Sequence, residues 1–311
     1  MTLAIEDGIA DSVRYLESAA ALRSIGEDTY WPKWNSPWWH MLLLWELGEA
    51  RQIPVRIARA MVDGLNALPI KIFPIHPGDT PPGVDVHRGS SCHCALGSMY
   101  QVLASCGIDV DTELPWAKPW FLRYQMSDGG FTCDGDAYLA SECPSSMVGS
   151  IAPFEAMLLG EWAPEQRAFL ERGAMFLIRR KLTLGSDTIF NAAERDAAPA
   201  WRQPCFPRLY FYDVLRGLSA LVRWAEKAGT TLPIEAIDGV MMHISTTFPD
   251  GVIRVQRRAY EQPTTLARRT DGTWHREPAS RFPLLEATSI VGEPCEVLTN
   301  QWNQIRQAVW R

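Results

Sequence analysis

Five stretches of this chain repeat one pattern: a polar or Pro-rich start, a run of mostly apolar residues, and a stop at Gly. They are Ser36-Pro37-Trp38-Trp39-His40 to Gly48, Ser91-Cys92-His93-Cys94 to Gly107, Pro144-Ser145-Ser146 to Gly160, Pro207-Arg208 to Gly229, and, less regularly, Ser280-Arg281-Phe282-Pro283 to Gly292. The stops recur about every 50–70 residues, which suits a helix pair plus a loop rather than a single helix. Helices that are apolar nearly all round cannot face water. They require a layered, closed helical architecture that buries them. The pattern therefore predicts an all-α chain in which buried inner helices alternate with amphipathic outer ones.

Composition narrows the choices. The chain has 311 residues, 47% of them hydrophobic, enough for one large core, and no linker divides it, so residues 1–311 read as a single domain. The net charge of −6 is mixed in sign along the chain, and no basic stripe interleaves with aromatics, which argues against nucleic acid as a partner. No run of about 20 apolar residues exists, so no membrane span is expected. Met1 to Gly8 carries Glu6 and Asp7 where a signal peptide would be basic. The seven cysteines then read as reduced thiols in a cytoplasm. The thirteen tryptophans either fill the space between helical layers or line a cavity for an apolar or cationic guest.

Along the chain a first helix is predicted from about Ile9 to Ser24. Ser36 is placed as the cap of the first buried helix, with Pro37 at its first position. The outer partner from Pro54 is solvated at Arg56, Arg59 and Asp63. Its counterparts are Val110–Met126, kinked near Pro115 and Pro119, then Pro164–Leu182 and Pro233–Phe248. Long loops are expected near 69–89, 127–145, 185–207 and 249–279. In the last of these, Gly251–Tyr260 is expected to pair with Thr264–Arg268 as a short hairpin. Asp128-Gly129-Gly130-Phe131 is a turn signal.

Taken in order, Cys94-Ala95-Leu96-Gly97, Asp128-Gly129-Gly130-Phe131, Ser145-Ser146 and the segment Pro207-Arg208-Leu209-Tyr210-Phe211-Tyr212-Asp213 to Gly217 resemble the terpenoid cyclase/protein prenyltransferase superfamily. The pattern looks in particular like small bacterial proteins built of prenyltransferase/squalene-cyclase-type repeats. The resemblance covers the chain from about residue 30 onward. It implies an α/α toroid of five to six helix pairs around a central cavity, and an enzyme acting there on a small apolar or isoprenoid-like molecule. One toroid hosts cyclases, transferases, lyases and binding proteins, so the fold leaves the activity open. The class II cyclase motif of clustered aspartates is one carboxylate short here, at Asp134-Gly135-Asp136-Ala137.

The chemical constellation is Cys92-His93-Cys94 followed by Cys133, Asp134 and Asp136. Thiolate, imidazole and carboxylate are zinc ligands, and Cys94, Cys133 and His93 are the set expected to hold zinc if a metal is bound. Residues two apart diverge on a helix, so Cys92 and Cys94 can act together only if Cys92 stays outside it. The alternative is that Cys94 and Cys106 pack as small core residues and Cys92 is a buried cap. Asp134 and Asp136 are the acid–base pair of the enzyme reading. Tyr212 is the proton donor. Glu155 is either a catalytic carboxylate or the buried partner of an arginine such as Arg216. Trp38, Trp39, His40, Tyr210 and Asp213 are expected around the substrate. Two rival readings share these residues: a non-catalytic toroid that binds a ligand or partner protein, and a glycan-active toroid using Trp platforms and paired carboxylates.

Overall fold

Four of the five expected stops, Gly48, Gly107, Gly160 and Gly229, lie within three residues of a helix end, and all five adopt left-handed backbone with φ between 66° and 94°. The computed structural model describes residues 3–84, 92–134, 145–186, 192–259, 263–269 and 271–309. Asp136 lies outside the described residues. The helices are α1 (Leu3–Glu17), α2 (Ala19–Glu27), α3 (Trp38–Glu46), α4 (Val55–Ala67), α5 (His93–Ser105), α6 (Val110–Glu113) and α7 (Ala117–Tyr124). They continue with α8 (Met147–Met157), α9 (Pro164–Arg179), α10 (Ala192–Ala197), α11 (Val214–Ala228), α12 (Ile234–Thr247), α13 (Pro283–Thr288) and α14 (Glu296–Val309). The described residues are thus mostly helical, with one small antiparallel sheet of β1 (Thr264–Arg268) and β2 (Trp274–Pro278).

Start signals work where a side chain can reach the backbone. Ser146 Oγ accepts the Gly149 amide at 2.8 Å to cap α8, and the Asp213 carboxylate accepts the Arg216 amide at 2.8 Å to cap α11. Ser36 does not cap α3: Pro37 stands between it and the helix, and its hydroxyl makes no cap bond. The predicted first helix is two, because Ser18 breaks the run and caps α2 through the Ala21 amide at 3.2 Å. The outer segment after Val110 is split by Pro115 into α6 and α7. The stretch near 185–207 is partly helical, at α10. The hairpin partner of Thr264–Arg268 is Trp274–Pro278, not Gly251–Tyr260. Asp271-Gly272 supplies the turn between the two strands, with Gly272 at φ 86°.

α5 packs between α3 and α8, α8 packs on α11, and α11 packs on α14, while α1 touches both α3 and α13. The apolar residues of α3, α5, α8 and α11 are almost all buried, whereas α4 and α9 keep one solvated face. The approach of α5 to α8 is the tightest consequence of sequence. A Cβ at Gly97 would sit 2.5 Å from the backbone of Ala152 and Pro153, so only glycine lets the helices meet there. Gln101 Nε2 then donates to the Ala152 carbonyl at 3.3 Å. One contiguous core extends from Ile9 to Ile305. Among the described residues no helix is long and apolar enough to cross a membrane.

Candidate metal centre

The turn at Asp128 builds one side of the site. Asp128 Oδ1 accepts the Gly130 amide at 3.1 Å and the Ser145 hydroxyl at 2.6 Å. Gly129 turns at φ 94°, where a Cβ would lie 2.2 Å from the Arg172 carbonyl oxygen. The chain then crosses the start of α8. The Phe131 amide donates to Ser150 Oγ at 2.8 Å, and the Phe131 carbonyl accepts the Ser146 amide at 2.7 Å. This fixes Thr132 and Cys133 beside the first turn of α5.

Cys92 precedes that turn in extended backbone, with φ −69° and ψ 166°, so it lies outside the helix as the sequence argument required. Cys92, Cys94 and Cys133 place their sulfurs within 4.8 Å of one another. The Cys92–Cys94 separation is 2.9 Å and the Cys94–Cys133 separation 3.6 Å. Tetrahedral zinc with bonds of about 2.3 Å spaces its thiolates about 3.8 Å apart, so Cys94 and Cys133 already stand near that spacing and Cys92 has to part from Cys94 by about 0.9 Å to admit an ion. The donor chemistry fits as well: three soft sulfurs suit zinc and leave a fourth position free. The trio could therefore hold a metal. Hydrogen bonds from the Cys133 and Cys94 thiols, with help from the Ala95 amide and Lys33, hold the Cys92 thiol well below its ordinary pKa, while its two neighbours are pushed up.

His93 stands outside this group. Its ring Nδ1 lies 3.1 Å from the Thr132 carbonyl, which makes Nδ1 the protonated nitrogen, and the ring packs on Phe131 at 4.8 Å. His93 thus pins the Cys133 strap to α5, and burial pushes its imidazole down to about 4. Cys92 takes the place expected of it, a residue whose role depended on a backbone angle that spacing alone does not reveal.

An aromatic cluster gathers at the start of α3. Tyr30 is buried and senses all three cysteines together with Tyr210, which with burial raises its phenol well above the usual range. Trp38 stacks on Tyr30 with ring centroids 6.1 Å apart, and Trp34, Trp39 and Tyr210 continue the cluster. The Lys33 ammonium lies 5.0 Å from the Trp34 ring centre and 5.2 Å from that of Tyr210. Trp38 and Trp39 are each only 2% exposed. The sequence does not reveal Tyr30 and Lys33, because their contacts with Trp38 and Tyr210 arise only through tertiary packing.

The remaining polar residues form a different cluster. Arg216 Nη2 donates to Glu155 Oε2 at 2.6 Å, and Arg208 Nε to Asp213 Oδ2 at 2.8 Å. Glu46 accepts the backbone amides of Arg208, at 2.8 Å, and of Leu209. Arg208 also reaches Gln301 at 2.7 Å, so α3, α11 and α14 clasp the segment 207–212 between them. Glu155 therefore meets the arginine foreseen for it. Tyr212 donates its hydroxyl to the Leu182 carbonyl at 2.8 Å and is 1% exposed, and Asp213 is a cap and ion-pair member. Asp134 is exposed, its amide bonded to Thr132 Oγ1 at 3.2 Å.

His40 stacks on Phe282 at 3.8 Å with Nδ1 3.2 Å from Ser12 Oγ. Burial pushes its imidazole down to about 4, so the folded protein keeps it neutral. The unfolded chain takes up that proton near pH 6.5. Stability from this residue is therefore whole above about pH 6.5 and fades toward pH 4, with about 2 kcal/mol gone at pH 5. Urea unfolding at both ends of that window should show the loss; His40→Gln should remove this residue's share and leave the like share of His93. No family model, curated protein or solved structure matches this chain.

Proposed function

We propose that the chain is a toroid of the terpenoid cyclase/protein prenyltransferase kind, and that it works as a zinc enzyme on a small, largely apolar, isoprenoid-like substrate. The observation that carries this reading is the convergence of Cys92, Cys94 and Cys133 on one point. A zinc ion held by three thiolates would supply a Lewis acid that activates a thiol, alcohol or water in its fourth position. The protein's own contribution is positional. Cys92 is held in extended backbone, the Asp128 turn delivers Cys133, and His93 locks that strap to α5. Tyr30, Trp38 and Tyr210 form a buried aromatic stack, and Lys33 places one positive charge over the Tyr210 ring.

Two of the carboxylates expected at the site are engaged in ion pairs. Glu155 and Asp213 are bound to arginines, so among the described residues the thiols have the most chemistry to offer. That same observation favours the ligand-binding toroid as the second reading. Incubating zinc-loaded protein with farnesyl diphosphate, with and without a thiol acceptor, separates the two. Consumption that stops on zinc removal is the expected result. Binding without turnover supports the second reading, and neither binding nor turnover overturns both.

A further inference from the structure

A cleft of about 510 Å³ opens between the start of α1, the turn after α3 and the segment that joins α13 to α14. None of the three thiols lines it. One wall is set by backbone pairing. The Val255 amide donates to the Glu293 carbonyl at 3.0 Å, the Gly292 amide to the Val255 carbonyl at 2.7 Å, and the Cys295 amide to the Ile253 carbonyl at 2.8 Å. The stretch 292–295 is thereby held along 253–255, and that wall is preformed. Phe206, Val255 and Cys295 are the buried members of the lining, at most 8% exposed. The rest is open to solvent. Ile290 is 47% exposed, and Ile5, Leu47 and Val297 are half-buried, so four aliphatic side chains present hydrocarbon around one hollow. Accessible apolar surface gathered in a concave site is what small ligands use.

The charge around this hollow has one sign. Glu49, Glu293 and Glu296 line it, and no Lys, Arg or His does. The Glu49 carboxylate accepts from the neutral Gln52 side chain at 2.7 Å, and Glu293 is exposed. Among the described residues neither of these two is joined to a cation. The Thr288 hydroxyl is already engaged by the Leu284 carbonyl at 2.7 Å. The glutamates are not gathered for a metal: among the described residues only the thiol trio comes close enough together to share an ion. Negative charge spread around an apolar hollow is complementary to an organic cation, whose hydrocarbon body leaves water while its charge stays at the wet edge.

We propose that this cleft binds a small amphiphilic amine, a compact hydrocarbon body carrying one protonated nitrogen. The body lies on Ile5, Leu47, Ile290 and Val297, and the ammonium faces the glutamates of the rim. The site is independent of the zinc reading, since it shares no residue with the thiol trio.

Phenylbutylamine is the probe, protonated at neutral pH like the ammonium of lysine. Phenylbutanol is the control lacking the charge, and ethylamine the control lacking the body. The readout is the Ile290 methyl signal in a ¹³C–¹H correlation spectrum, assigned by its disappearance in Ile290→Leu. Phenylbutylamine should shift that signal at up to about 10 mM, a range suited to a fragment of this size. Both controls should bind roughly tenfold more weakly, one for want of the charge and the other for want of apolar area. Glu49→Gln combined with Glu293→Gln should weaken the amine by roughly tenfold, leave phenylbutanol unaffected and keep the melting temperature unchanged or raised, since like charges have been removed from one rim. Added salt should weaken the amine and spare the alcohol. The proposal is overturned if the amine leaves the Ile290 signal in place, if phenylbutanol binds as well, or if the double variant binds the amine as tightly as wild type. It is equally overturned if only a basic amphipathic peptide moves the signal, which would make the cleft a protein-docking surface, or if the signal moves on dilution of the protein alone, which would assign it to a second copy.

Discussion

Replacing Arg216 by Met is expected to destabilise the protein by about 3–5 kcal/mol, the cost of leaving a buried carboxylate unpaired. The side chains of Arg216 and Glu155 are 4% and 8% exposed, so water cannot take over the missing partner. The guanidinium also donates to the carbonyls of Leu209, at 3.1 Å, and Phe211, at 2.7 Å. Its loss therefore loosens the segment that runs between α3, α11 and α14. A domain of this kind holds only about 5–15 kcal/mol in all, so the variant should unfold well below the wild-type midpoint in urea. Pairing it with Glu155→Met tests the cause. Once the stranded charge is gone, much of the loss should return, and the shortfall measures the two carbonyls. A single variant within about 1 kcal/mol of wild type would mean that Glu155 is not held as an ion pair.

What could be read from sequence was local. Gly48, Gly107, Gly160 and Gly229 end helices because each needs positive φ a few residues after an apolar run, and both signals lie within one short window. Ser146 and Asp213 announce helix starts for the same reason. Failures came where the deciding partner is distant. The Glu46 contacts to Arg208 and Leu209 span more than 160 residues, and no periodicity reports them. Thr264–Arg268 pairs across the Asp271-Gly272 turn with Trp274–Pro278 rather than with Gly251–Tyr260, because a short Asp-Gly turn brings the nearer segment back first. At the site, the thiol residue types were legible and their assignment was not. His93 and Cys92 are neighbours, and only the extended ψ of Cys92 and the Thr132 carbonyl decide which one turns to Cys94. Trp38, Trp39 and Tyr210 were singled out as aromatic surfaces, but their mutual stacking depends on the 207–212 segment lying beside α3.

The second large effect concerns zinc. Zinc binding is worth on the order of 10 kcal/mol in small structural sites, and it couples directly to folding because the unfolded chain has no preformed trio. Chelation should therefore lower the unfolding midpoint as well as any activity. Cys94→Ser should do most damage, since Cys94 Sγ lies 2.9 Å from Cys92 and 3.6 Å from Cys133 and thus bridges the group. Serine keeps the size but offers a harder, weakly acidic oxygen that zinc prefers far less than thiolate. Cys106→Ser, where the thiol lies 3.6 Å from the Ala50 carbonyl, is the control that should leave metal content untouched.

Elemental analysis of protein purified without chelators tests this most directly. About one zinc per chain in the wild type and in Cys106→Ser, with loss of the metal in Cys94→Ser, is the expected outcome. A wild-type protein that is fully folded, carries no transition metal and takes up none from added zinc would contradict it.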